Sequence, residues 1–286
     1  MRINTVYKQG GTGSNDDAYV INEQAGVLAA IDGATGLDGI PGHLASHTVQ
    51  THLQAMTPSH GLWESIADAN KAVNGETIGY YQTHIRESIA RLDDIPKNQR
   101  SSTGLAAIQL HPDHHHFHYI HAGDCMLFLK YENGDIRPVT YDLIQYLDQQ
   151  AITELVKQRQ KNNDHNLDIT ELRNEINPIL LHNRNQLNTM NGYGVIDGSD
   201  EAMDHLEYGR LSLKRVTHML LLSDGLLLPT ELNDDNAWLQ SASIAFDYGI
   251  DGLLHAVEER EMADEQCRIY PRLKPSDDKT GLLVTF

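Results

Sequence analysis

The sequence predicts an α+β fold with largely antiparallel strands, on three observations. Short apolar or alternating runs bounded by turn residues recur as strands, most of the links between them are short, and helical spacing comes in paired blocks rather than in regular alternation with strands. The first two features favour adjacent antiparallel pairs, and the third disfavours a doubly wound parallel sheet.

Taken in order, Ile3–Tyr7, Ala18–Ile21 and Val27–Ile31 are the first strands. A helical stripe follows at Ala45, Val49, Leu53 and Met56, and a second at Ile78, Tyr81, Ile85, Ile89 and Leu92. Leu105–Leu110 and Phe117–Ala122 are strands joined by a bend at Leu110-His111-Pro112-Asp113-His114, and Met126–Tyr131 runs into Asn133-Gly134, a strong hairpin signal. Ile144, Leu147, Ile152 and Leu155 predict a third helix. The stretch Lys157–Leu172 is polar with little apolar periodicity, and residues 183–204 are rich in Asn, Gly and Asp. Residues 142–207 are therefore read as an inserted flap within a single domain spanning 1–286. Val216–Leu222, helices over Ala237–Phe246 and Leu253–Cys267, and a strand at Leu282–Phe286 complete the pattern.

Composition bounds the function. With 22 Lys+Arg against 40 Asp+Glu, the chain carries a formal charge of −18, which repels phosphate backbones and anionic lipid and argues against a nucleic-acid or membrane-surface partner. Cys125 and Cys267, far apart, give neither a disulfide framework nor a Cys-rich metal site. The N-terminal residues lack an apolar signal core, and a cytoplasmic, soluble protein is expected.

Several short Asp motifs lie at strand ends, where a rigid scaffold can aim side chains at one site. They are Asn15-Asp16-Asp17, Asp32-Gly33, Gly123-Asp124, Asp224-Gly225 and Asp277-Asp278. One Asp-Gly is usually only a turn. Several such carboxylates at buried strand ends would repel one another and be poorly solvated without a cation, so the set predicts hard, oxygen-ligated divalent metals. Six His residues, 111, 114, 115, 116, 118 and 121, crowd one hairpin; a dense His tract can bind a transition metal, but a strand puts His116 and His118 on one face and His121 on the other, which favours a solvated hairpin.

In order and spacing, Asn15-Asp16-Asp17, the segment 30–36 (AIDGATG), Ser102-Thr103-Gly104, Ala122-Gly123-Asp124, Leu222-Ser223-Asp224-Gly225 and Asp277-Asp278-Lys279-Thr280 resemble the motifs of the metal-dependent protein phosphatases, the protein phosphatase 2C family, bacterial type. The resemblance spans essentially the whole chain. It implies a four-layer α-β-β-α sandwich and a serine/threonine phosphatase using two Mg2+ or Mn2+ ions, with a third, weaker cation. Asp32 resembles the carboxylate that bridges two metals and Gly33 the carbonyl ligand of one of them. Asp16 matches an acidic ligand of that metal and Asp17 the neighbouring Asp that holds metal-bound water. Asp224 and Asp277 match ligands of the other metal, with Asp278 the alternative to Asp277, and Asp124 matches the ligand of the third. Asp32 and Asp224 are the residues expected to carry catalysis. The implied partners are a phosphorylated protein and a cognate Ser/Thr kinase.

Two positions depart from the pattern: Thr12 stands where the family has a phosphate-binding Arg, and Ala34 where many relatives have a His. His43 is a candidate to protonate the leaving group. Thr12 and the unusual insert motivate a second reading, a non-catalytic or weakly active metal-binding relative that recognises phosphoproteins, against which the retained Asp set argues. A haloacid-dehalogenase-like mechanism at Asp32 is excluded because Ala30 occupies the position of its second Asp.

Overall fold

The computed structural model describes residues 1–286 except 12, 38, 87, 162–167 and 233, so the departure at Thr12 lies outside the described residues. Among the described residues, ten strands form two five-stranded antiparallel sheets. One sheet has the order β2 (Ala18–Asn22), β3 (Val27–Ala34), β4 (Ser102–Leu110), β5 (His116–Ala122), β8 (Glu207–Ser212). The other has the order β1 (Arg2–Lys8), β10 (Lys279–Thr285), β9 (Val216–Leu222), β6 (Met126–Tyr131), β7 (Ile136–Pro138).

Side-chain alternation builds four layers. Along β3, Val27, Ala29 and Ile31 face a core shared with Val49 and Leu53 of α1 (Gly42–Gln54) and Ile66 and Val73 of α2 (Leu62–His84). The intervening Leu28 and Ala30 join Leu127, Leu221 and Leu282 between the sheets. The outer face of the second sheet packs Phe128, Leu220 and Leu222 on Trp238 and Phe246 of α7 (Ala237–Tyr248) and Leu253 and Val257 of α8 (Ile250–Ala263). The expected α-β-β-α sandwich is therefore observed, as is the hairpin at Asn133-Gly134, where Gly134 has φ +88°.

Some boundaries move. The second apolar stripe outruns its helix: α2 ends at His84, and Ile89 and Leu92 are buried by a returning chain against Ile40, Tyr81 and Ile95. Cys267 lies beyond α8 in the left-handed region, at φ +51°. The polar stretch after Lys157 contains the end of α3 (Gln145–Lys161) and the start of α4 (Ile169–Glu175), which opens on a capping box between Asp168 and Glu171. Helices α5 (Asn177–Arg184) and the short α6 (Asp200–Asp204) follow.

The segment after α5 returns across the end of the first sheet. Ile196 pairs with Thr103, and the Gly123 N–H donates to the Gly194 carbonyl at 2.8 Å. A buried ion pair holds it: Arg100 donates to Asp197 Oδ2 at 3.1 Å, and Asn188 and Ser199 donate to Oδ1. Because Arg100 is only 4% exposed, Asp197→Ala leaves a buried cation without its partner. The expected loss in urea unfolding is roughly 3–5 kcal/mol; a loss below about 1 kcal/mol would show that water replaces the carboxylate.

Candidate metal centre

Antiparallel register brings five acidic positions to one end of the sandwich. The C-terminal end of β3 lies beside the start of β2 and β4, with Ala18 opposite Ile31 and Gly104 opposite Asp32. In the other sheet, the end of β9 lies beside the starts of β6 and β10, since Leu222 faces both Met126 and Gly281. Asp32 follows Leu28 and Ala30 on the inter-sheet face of β3, so alternation points it into the gap. Asp17 precedes β2, Asp124 follows β5, Asp224 follows β9 and Asp277 precedes β10. Both sheets thus contribute.

Close backbone approach is part of the design. A Cβ on Gly33 would lie 2.1 Å from the Asp16 carbonyl oxygen, and one on Gly225 would lie 1.8 Å from that of Asp278. Only glycine lets these strand ends meet.

The carboxyl groups feel one another. Burial, then the charges of Asp17 and Asp124, push the Asp32 carboxyl well above the usual carboxylate range. Burial followed by Asp277 does the same to Asp17, partly offset by the Ser223 hydroxyl, which donates to Asp17 Oδ2 at 2.8 Å. Asp224 is raised by burial, Asp277 and Asp32, and hydrogen-bonds Asp32 directly. Asp124 is raised by burial and Asp224. The donor set is all oxygen and carries more negative charge than Lys274, the cation paired with Asp277, offsets, which fits hard divalent cations. Cys125 lies within 4.8 Å of the Asp32 and Asp124 oxygens, but burial holds its thiol neutral, and it packs in the inter-sheet core.

Asp16, Asp277 and Asp278 are told apart by their partners. Asp16 lines the cleft with both oxygens engaged: Thr35 donates to Oδ2 at 2.6 Å, and the His43 N–H to Oδ1 at 3.0 Å. It thereby caps the N-terminus of α1. The His43 ring is also on Asp16, at 3.1 Å. Asp278 accepts the backbone N–H groups of Gly10 and Asp16 at 2.9 and 2.7 Å, pinning the β1–β2 loop. Asp277 is the neighbour whose charge acts on Asp17, Asp32 and Asp224, and its carboxylate pairs with Lys274. Lys279, buried, fixes the backbone there by donating to the Asp277 carbonyl at 2.8 Å and pairing with Glu261 at 2.9 Å.

The cluster lines a cleft of about 510 Å³ together with Gln145, Asp148, Arg173 and Arg184 of helices α3 to α5 and with Leu227, Pro229, Glu231, Leu273 and Lys274. Sequence reasoning missed these. Asp142 accepts from the Ile144 and Gln145 N–H groups at the start of α3 and from Trp238 Nε1 at 2.9 Å. Asp148 is pushed up to about 7 by burial and Asp142. Arg184 donates to the Ala34 carbonyl at 2.7 Å, beside Gly33, and among the described residues its Nε has no hydrogen-bond partner. Lys274 is held more strongly protonated than an ordinary lysine: its surroundings work against the charge, but Asp277, Asp224 and Asp32 outweigh them.

No protein-family model matches the chain, and no curated protein matches it by sequence. Solved structures do match. They include the Mycobacterium tuberculosis serine/threonine phosphatase PstP/Ppp (16% identity, TM-score 0.57, covering 100% of this chain and 98% of that one). The Mycobacterium smegmatis PPM Ser-Thr phosphatase MsPP also matches, in a complex with cacodylate (18%, 0.56, 100% and 98%). So does Stp1 from Staphylococcus aureus (13%, 0.56, 99% and 94%). A second PstP structure, of the catalytic domain with two manganese ions, matches at 16% identity and TM-score 0.54 over 99% and 96%. At these identities the likeness establishes the fold.

Proposed function

We propose that the chain is a metal-dependent phosphatase that hydrolyses phosphoserine and phosphothreonine in proteins. The observation that carries the reading is the convergence of Asp17, Asp124, Asp224 and Asp277 on the buried Asp32, from both sheets, in a fold shared with solved serine/threonine phosphatases. Asp32 and Asp224 would hold two Mg2+ or Mn2+ ions, with Asp17, Asp277 and Gly33 around them and Asp124 beside a third, weaker site. Bound there, such cations lower the pKa of a water and neutralise phosphoryl oxygens. The protein's own part is to fix the carboxylates: Ser223 orients Asp17, Lys279 fixes the backbone at Asp277, and Asp278 and Asp16 lock the loop and helix around them. No cysteine nucleophile is needed, and Cys125 is a neutral packing residue.

Substrate binding is assigned to the opposite wall. We place the phosphate near Arg184, whose guanidinium lies beside the Gly33-Ala34 backbone, and read residues 142–207 as a flap that sorts phosphoprotein substrates supplied by a Ser/Thr kinase. His43 is bound to Asp16 and serves to position it.

The test is hydrolysis of p-nitrophenyl phosphate and a phosphothreonine peptide with Mn2+. Wild type is expected to turn over both, and Asp224→Ala neither; a wild type no faster than Asp224→Ala at saturating Mn2+ sinks the proposal. Arg184→Met is expected to raise KM about tenfold, a loss of about 1.4 kcal/mol in binding, with kcat little changed. An unchanged KM would remove Arg184 from the substrate site.

A further inference from the structure

At the other end of the first sheet, roughly 20 Å along β5 from the carboxylate cluster, lies a second group of ligand-type side chains. Within it His111 Nδ1 is 2.8 Å from Asp113 Oδ1, His116 Nδ1 is 3.8 Å from the same oxygen, and one donor atom from each residue lies within 4.8 Å of the others. We propose that His111, Asp113 and His116 form a binding site for a zinc-class transition-metal cation, distinct from the Asp32 cluster in place and in chemistry.

The hairpin builds the site. The His111 N–H donates to the His116 carbonyl at 3.0 Å, so the two histidines face each other where the strands end. Between them the chain turns through His114 at φ +53°, and the His114 N–H donates to the His111 carbonyl at 2.8 Å. This turn brings the Asp113 carboxylate to the Nδ1 edges of the two rings, where the His115 N–H at 2.9 Å orients it. The imidazoles stack with centroids 4.2 Å apart, on the same face of β5 as His118, which lies edge-on to His116 and stacks on Tyr208 of β8.

Donor spacing matches the ligand. Bonds of about 2.0–2.2 Å in a tetrahedral zinc site put neighbouring donors about 3.3 Å apart, between the two separations found here. The cation would draw His116 in and push His111 slightly out, leaving the fourth position to water. Two imidazoles with one carboxylate suit zinc-class ions, whereas an all-carboxylate cluster suits Mg2+ or Mn2+. The reading against which this stands is a plain His–Asp ion pair on a solvated hairpin.

The two are separated by titrating the intact protein with Zn2+ by calorimetry in excess Mg2+, which occupies the carboxylate cluster, and by the visible spectrum with Co2+. Wild type is expected to bind about one Zn2+ and to give the intense tetrahedral Co2+ bands. His111→Ala, Asp113→Asn and His116→Ala should each weaken binding at least about tenfold, while His114→Ala and His115→Ala, which remove the same side chain from the same loop, leave it unchanged. Absence of Zn2+ binding by wild type, or equal losses in all five variants, overturns the site. Thermal midpoints of the variants without metal check that each is folded.

Discussion

Asp32→Asn is expected to abolish Mn2+-dependent phosphatase activity while making the metal-free protein more stable. The amide keeps the shape of the carboxyl group and its oxygen can still accept from Asp224, so packing between β3 and β9 is preserved. What it removes is a carboxylate that burial, Asp17 and Asp124 already disfavour. With metal absent, that charge is a cost to the fold; under the proposed function it would be offset by the cations that Asp32 helps to hold. A loss of at least roughly a thousandfold in kcat/KM corresponds to about 4 kcal/mol of transition-state stabilisation. Thermal melts in chelator at about pH 8 should show the variant above wild type, and melts in Mn2+ should reverse the order. Undiminished activity would remove Asp32 from the reaction. A less stable metal-free variant would show instead that Asp32 is held by contacts rather than strained by its neighbours.

The second large effect is on the pH dependence of stability without metal. Asp17, Asp32, Asp124 and Asp224 all have carboxyl groups raised in the folded protein, and Asp148 is raised to about 7. The folded chain therefore holds more protons than the unfolded one at any pH between the ordinary carboxylate range and the raised values. Stability from these groups is complete below about pH 4 and is lost as pH rises through the folded values, for Asp148 between roughly pH 4 and pH 7. Asp113, Glu207 and Asp264 are lowered and act in the opposite sense, so their contribution is lost only in stronger acid. In chelator the midpoint of urea unfolding should fall between about pH 5 and pH 8, and Mn2+ should flatten that fall. Equal slopes with and without Mn2+ would mean that the cluster does not carry the effect.

Three of the site acids, Asp32, Asp124 and Asp224, are legible in the sequence as an Asp next to a glycine at the end of an apolar run, whereas Asp17 and Asp277 are legible only as members of the ordered set of motifs. Antiparallel pairing then leaves few ways to keep them apart. What could not be read was the opposite wall. Asp148 and Arg184 sit on helices where such residues usually mark a solvated face, and only the packing of α3 and α5 turns them toward the cleft. The edge strand β8 carries charged and polar residues on its exposed side, and β7 is three residues ending in proline, so neither has the run that marks a buried strand. Periodicity also overreached at Ile89 and Leu92, which are apolar because a returning chain covers them. The capping box at Asp168 and Glu171 was present in the sequence as a start signal and would have located α4.

The position of β10 sets an order on the making of the protein. This strand enters sheet order between β1 and β9, with Thr285 opposite Arg2 and Leu282 opposite Leu221. A growing chain on the ribosome can therefore pair β2 to β5 early, but β1 has no neighbour and Asp277 is missing until the last of these segments emerges. Contacts between strands so distant along the chain are slow to form. The nascent protein would therefore expose an unfilled slot in its second sheet, and its carboxylate cluster would be complete only when that slot closes.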